Sequence, residues 1–169
     1  QSFPQASLLI FFRAGVGLRF ACSYDTKIVM IAKIHSAIPY GFEGKLVEVE
    51  GDMNRGLPSF SIVGMANKTI NEAKDRVRSA LTNSQFSFPD KKVTISLAPA
   101  ELQKDGAYLD LPIALSVLVL SGQLIKDDVK NKLFVGELSL SGEVRKINKK
   151  DSFFILFTIH NLGDCKIST

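Results

Sequence analysis

Three arginines carry the side chains best suited to grip an anion or a carboxylate. Arg55 sits in Asp52-Met53-Asn54-Arg55-Gly56-Leu57-Pro58-Ser59-Phe60, on a glycine turn between two alternating apolar runs. From such a loop a guanidinium can reach a partner or a phosphate. Arg76 and Arg78 share a helical segment with Lys68 and Lys74, opposed by Glu72 and Asp75. That mixture serves either a phosphate backbone or a plain solvated helix face, and both readings stay open.

Other chemistries lack their residues. A nucleotide cradle needs GxxxxGK followed by Ser or Thr, because the glycines bare backbone N–H groups while the lysine and hydroxyl hold phosphate and magnesium. Gly44-Lys45 is the only Gly-Lys pair, and Pro39 and Leu46 stand where the pattern requires glycine and a hydroxyl. His35, read as ending a strand, and His160, in the C-terminal stretch, have no second ligand at metal spacing. Cys22 and Cys165 lie near opposite ends without a CxxC, which argues against a zinc finger or disulfide scaffold and fits a reducing cytosol. The shortage of histidine removes a Ser-His pair as well, leaving Ser with Lys as the one nucleophilic pairing to test.

The elements that position these residues follow from periodicity. With 169 residues, 46% of them apolar and 22% charged, the chain has the profile of one globular domain. A domain of this size buries roughly two-thirds of its unfolded surface. Its net charge of +4 does not belong to the body: Met30 to Lys146 holds 15 basic and 14 acidic residues, and the flanks hold six and three. Bulk charge therefore argues nothing about nucleic acid.

Ile31 to Ser36 alternates as a strand ending at Pro39-Tyr40-Gly41, and Lys45 to Glu50 alternates again, with Val47 and Val49 opposite Leu46, Glu48 and Glu50. Gly51 to Pro58 reads as a loop, and Ser59 to Val63 as a strand closed by Gly64. Between 67 and 84 the period changes: Ile70, Ala73, Val77, Ala80 and Leu81 fall at helical spacing, with Thr69 and Glu72, or Asn67, as the start signal. Lys92 to Leu97 is a strand. A second helix starts at Asp110, whose carboxylate is expected to accept the free N–H groups of the first turn, ahead of Pro112. Leu111 to Leu120 shows almost no polar face, so this helix is expected at the centre of the core; Gly122 ends it. Leu133 to Leu140 and Glu143 to Ile147, joined by Ser141-Gly142, read as a hairpin. Ser152 to Ile159 is an uncharged apolar run, read as a buried strand or an exposed tail.

Residues 1–29 read as an extension ahead of a start at Met30. The apolar patch Leu8 to Phe12 has no positive charge before it, unlike a signal peptide. No window reaches the roughly 18 to 20 apolar residues of a membrane span, so no membrane partner is expected.

Several segments together resemble one family. They are Leu46 to Glu50, Arg55 to Gly64, Arg76 to Leu81, Ser96 to Leu102, Lys104-Asp105-Gly106, Asp110 to Ala114 and Gly136-Glu137-Leu138. In this order they resemble the N-terminal domain of the ComM/YifB proteins, which are also described as magnesium-chelatase-like or subunit I type. The resemblance covers residues 30–147; residues 148–169 do not follow it and read as a truncated or frameshifted tail. It implies an α+β fold, ribosomal protein S5 domain 2-like and akin to the Lon proteolytic domain: a small β-sheet with helices packed on it.

It also implies a cytoplasmic bacterial protein in which this domain precedes an AAA+ ATPase module in a hexamer, acting in branch migration of DNA during natural transformation. ATP and magnesium belong to that module; no cofactor, metal or catalytic residue is assigned to this chain. Lon-type catalysis would need a serine two residues after Gly106, where this chain has Tyr108, so Lys149 and Lys150 have nothing to activate. The resemblance thus implies a non-catalytic assembly or substrate-engaging domain. Arg55, Arg76 and Arg78 are its candidate contacts to the ATPase module, a neighbouring subunit or DNA. The alternative is a piece of a magnesium-chelatase-type ATPase subunit whose ATP-binding module lies outside the chain.

Overall fold

The computed structural model describes residues 31–64, 68–102, 104 and 107–145. The extension 1–29, the tail 148–169, the two cysteines, His160 and the start signal of the first helix at Asn67 and Thr69 lie outside the described residues or side chains.

Alternation drives the first half of the chain. Strands β1 (Ile31–Tyr40) and β2 (Glu43–Asn54) form an antiparallel hairpin in which Ile34 pairs with Val49 and Ser36 with Val47. One face carries Ala32, Ile34, Val47 and Val49, all buried, and the other carries Lys33, Glu48 and Glu50. Strand β3 (Ser59–Gly64) leads through helix α1 (Lys68–Asn83) to β4 (Lys92–Ala98), which returns parallel to β3 and antiparallel to β2. Parallel neighbours need such a crossover, and α1 supplies it. The sheet order is β1-β2-β4-β3.

Helix α2 (Asp110–Leu120) then packs on β1 and β2, and α1 and β5 pack against it in turn. Every residue from Pro112 to Leu120 is buried, because a helix enclosed by a sheet and another helix has no solvent side to keep polar. The expectation of a central apolar helix holds. A four-residue helix, α3 (Lys126–Val129), leads to a short hairpin of β5 (Glu137–Leu138) and β6 (Val144–Arg145). The architecture is α+β: a mixed four-stranded sheet with helices packed on it.

Three expectations need correction. Strand β2 does not stop at Gly51 but continues to Asn54, pairing Gly51 with Ala32 on one side and Ile95 on the other. Gly51 is there because α2 presses on it: a Cβ would run into Ser116 Oγ and come within 2.8 Å of Leu120 Cδ1. His35 lies within β1, not at its end, and its carbonyl accepts the Phe134 N–H at 2.9 Å. The segment expected as the first hairpin arm therefore divides, with Leu133 bridging to β1 and only Glu137 and Leu138 pairing with β6.

Gly51→Ala tests the close approach of helix and sheet. Overpacking should lower stability by about 1–3 kcal/mol, read as a reduced urea midpoint with an unchanged slope.

Candidate functional site

Arg55 follows the last residue of β2, and the loop from Arg55 to Pro58 is exposed throughout. Leu57 beside it is 88% exposed, a leucine that the fold gives no cover. Among the described residues Arg55 has no ion pair or side-chain hydrogen bond; its turn lies against Lys92, whose Cβ is the nearest atom to a Cβ built on Gly56. Two strands hold this loop at one end of the sheet, across the start of β4, so a guanidinium and an apolar tip are presented from rigid supports.

Arg76 has another situation. The helical period that buries Ala73, Val77 and Ala80 brings Arg76 to the start of α2, where Nε donates to Asp110 Oδ2 at 2.9 Å and Nη2 to Asp110 Oδ1 at 3.1 Å. Asp110 is wholly buried, whereas the Arg76 side chain keeps 23% exposure. The carboxylate also accepts the Leu138 N–H at 3.3 Å. Asp110 does not serve as the expected helix cap: Leu109 is the capping residue, and no side-chain capping bond is made. The carboxylate turns instead to a guanidinium that offers two parallel donors, a stronger arrangement than a single neutral N–H.

Arg78, one turn face away, is exposed and lies over the Phe88 ring with its Cζ 4.6 Å from the centroid. Phe88 in turn meets Phe60 edge-on, at 5.2 Å between centroids. Arg76 and Arg78 lie on α1, and Arg55 lies apart from them on the β2–β3 loop.

The start of α2 is closed to anions. The Asp110 N–H donates to Ala107 O, Leu111 to Gly136 O and Ile113 to Leu109 O, and Pro112 has no N–H to offer. A helix N-terminus binds phosphate through free donors, and in this first turn each is already committed.

Lys104 is the group that sequence reading passed over, seen only as part of Lys-Asp-Gly. It is fully buried, and its ammonium donates to Pro99 O at 2.6 Å and Leu102 O at 2.9 Å. Burial pulls it below the ordinary lysine range. It ties down the turn after β4 and has no described nucleophile to activate. Tyr108, which stands where a Lon-type serine would be expected, is half-buried against the core, and its carbonyl accepts the Gly136 N–H. Lys149 and Lys150 are outside the described residues.

On the open face of the sheet, Lys33 Nζ pairs with Glu48 at 2.8 Å and Glu50 at 3.3 Å. The ammonium holds the Glu48 carboxyl below its usual range. Burial pushes the Asp110 carboxyl the other way, above its usual range, against the pull of Arg76 and the Leu138 N–H. The signs of linkage are therefore opposite. Glu48 contributes stability above the ordinary glutamate value and loses it as the pH falls through the lowered one. Asp110 binds its proton more tightly in the folded chain, so its contribution is full on the acid side and declines as the pH rises through the raised value.

Comparison with known proteins places these features in context. The family described as subunit ChlI of Mg-chelatase matches residues 49–163. The competence protein ComM of Haemophilus influenzae is 44% identical over 118 residues, 70% of this chain and 23% of that protein. The uncharacterized protein YifB of Salmonella typhimurium is 42% identical over 117 residues, 69% of this chain and 23% of its own length. YifB of Escherichia coli is 42% identical over 114 residues, 68% and 22% respectively. The chain thus spans less than a quarter of the length of these relatives.

Removing either cation from its partner should separate two kinds of arginine. Arg76→Ala strands a buried carboxylate and should cost about 2–4 kcal/mol, below the full value for an enclosed pair because the guanidinium is partly exposed. Arg78→Ala, losing only an exposed cation–π contact, should cost about 0.5–1 kcal/mol by the same denaturation measurement. Stability followed from about pH 3 to 7 should show a shallower acid-side loss in Glu48→Gln, while Asp110→Asn removes the component of opposite sign.

Proposed function

The chain belongs to the family described as subunit ChlI of Mg-chelatase, as an N-terminal domain of the ComM/YifB type, and from that premise we propose that it is a non-catalytic assembly or substrate-engaging domain of a ComM-like AAA+ ATPase in DNA processing. The observation that carries this reading is the loop of Arg55 and Leu57. A charged guanidinium without a described partner and a leucine that is 88% exposed form the pairing of residue types that anchors protein contacts. Arg76 and Arg78 face inward or onto an aromatic ring, which makes Arg55 the leading contact of the three.

The partner in this reading is the AAA+ module of the same longer protein or that of a neighbouring subunit in a hexamer, with ATP and magnesium bound by that module, in the cytoplasm. DNA is a second class of contact, through Arg78 and the exposed side of α1. The S5 domain 2-like assignment is supported by the β3-α1-β4 crossover and the helix-covered sheet. The family's description as a Mg-chelatase subunit favours a second reading, an ATPase subunit of the magnesium-chelatase type, in which the same domain would serve assembly.

The test is to mix the domain with a separately expressed ATPase module of a ComM-type protein and follow the complex by size-exclusion chromatography and titration. A complex weakened about tenfold or more by Arg55→Ala supports the reading. Absence of a complex, or a complex indifferent to Arg55 and Leu57, removes it. Fluorescence anisotropy with DNA should show affinity that falls steeply with salt and weakens in Arg78→Ala if nucleic acid is engaged directly; salt-insensitive signal or none removes that contact.

A further inference from the structure

The β5–β6 hairpin stands apart from the main sheet. It has two residue pairs of its own, Glu137 with Arg145 and Leu138 with Val144, and neither strand joins the four-stranded sheet. Leu138 is its one fully buried apolar side chain; Leu140 near the tip is 58% exposed, and the Glu137–Arg145 pair faces solvent. Besides Leu138 and the half-buried Val144, hydrogen bonds seat the hairpin. Leu138 N–H donates to Asp110, Leu111 N–H donates to Gly136 O, Gly136 N–H donates to Tyr108 O, and Asn83 Nδ2 donates to Leu140 O at 2.7 Å. At the tip Gly142 lies against α1, where a Cβ would meet Ser84 Oγ and Ala80 O.

We infer that this hairpin is a strap that opens as a unit while the four-stranded sheet stays folded, and that the Arg76–Asp110 pair is its catch. Asp110 Oδ2 is the shared acceptor: Arg76 from α1 and Leu138 from the strap meet on one oxygen. A segment held by buried Leu138, half-buried Val144 and a handful of hydrogen bonds belongs to the low-stability end of a fold, whereas the sheet is held by the rest of the core. Opening the strap uncovers Leu111, Ala114 and Leu118, which line an apolar hollow with Leu81 and Phe86 beneath Leu138. It also withdraws the Leu138 N–H from Asp110 Oδ2, leaving the Arg76 fork on the carboxylate. A closed strap keeps these groups covered; an open one presents an apolar groove between α1 and α2 beside a guanidinium. The inference is independent of the partner reading above, since it concerns motion of the chain alone.

Amide hydrogen exchange on the full chain tests it. In the wild type, Gly136, Leu138 and Ser139 should exchange at least about a hundredfold faster than Val49 and Ile95, with rates that barely respond to low urea, as local opening requires. Equal rates, or hairpin rates that rise with urea as steeply as those of the sheet, overturn the strap. Arg76→Lys keeps the charge but loses the fork, and should speed the hairpin amides by about tenfold with the sheet unchanged. Asp110→Asn should speed them by about a hundredfold. If Asp110→Asn fails to fold, the lysine variant decides the catch: a hairpin rate equal to wild type overturns that role.

Discussion

A carboxylate with no solvent exposure, placed at the first residue of the most buried helix, constrains much of this fold. Asp110 is expensive to bury unless its oxygens are occupied, and the occupants come from chain segments 34 residues before it and 28 after it. The guanidinium fork fixes how far along α2 the middle of α1 must lie, since a shift of one turn would take Arg76 out of reach. The Leu138 N–H fixes where the chain returns after α3. One side chain therefore sets the mutual position of three elements that hydrophobic contact alone would allow to slide, for apolar burial is not directional.

That arrangement decides which chemistry remains available. Because the donors of the first turn of α2 are committed to Ala107, Gly136 and Leu109, the helix start cannot also cradle a phosphate. Because Arg76 is held by Asp110, its charge is directed inward. On the open face, Lys33 is held between Glu48 and Glu50, so its charge is already matched and the cluster keeps an excess of negative charge. Among the groups that the fold leaves pointing outward without a described partner is the loop from Arg55 to Pro58, distinguished by the exposed Leu57 at its tip. The functional emphasis thus moves from the helix to the strand junction, a result of which charges the core has already used.

Much of the architecture could be read from residue order. The alternation at Lys45 to Glu50 reports the true faces of β2, the helical spacing of Ala73, Val77, Ala80 and Leu81 reports the buried side of α1, and the apolar run from Leu111 to Leu120 reports a helix enclosed on both sides. Two of the failures share one physical origin. Gly51 looks like a strand end locally, yet its lack of a side chain serves a helix that arrives 65 residues later in the sequence at Ser116. Asp110 looks like a cap because an acidic residue before a helix commonly is one; a distant arginine outcompetes the nearby N–H groups. Lys104 is a different case: its acceptors, Pro99 O and Leu102 O, are near in sequence, but only the turn after β4 aims both carbonyls at the ammonium. Local pattern reports which side of an element is apolar, but not which polar group will find a remote partner.

The same distinction bears on the candidate site. Arg55 was legible because its signal is local: an arginine on a glycine turn between strands needs no tertiary information to be seen as presented. Arg76 and Arg78 carried the same charge on the same helix and were indistinguishable by composition, although one closes a buried pair and the other covers the Phe88 ring. The two positions differ by two residues, about 200° around a helix, so when one faces the core the other must face away from it. The buried stripe at Ala73, Val77 and Ala80 places Arg76 at its edge and Arg78 across from it. Periodicity therefore held the information that the two arginines had different surroundings, and what it lacked was the identity of the acid that would meet the inward one.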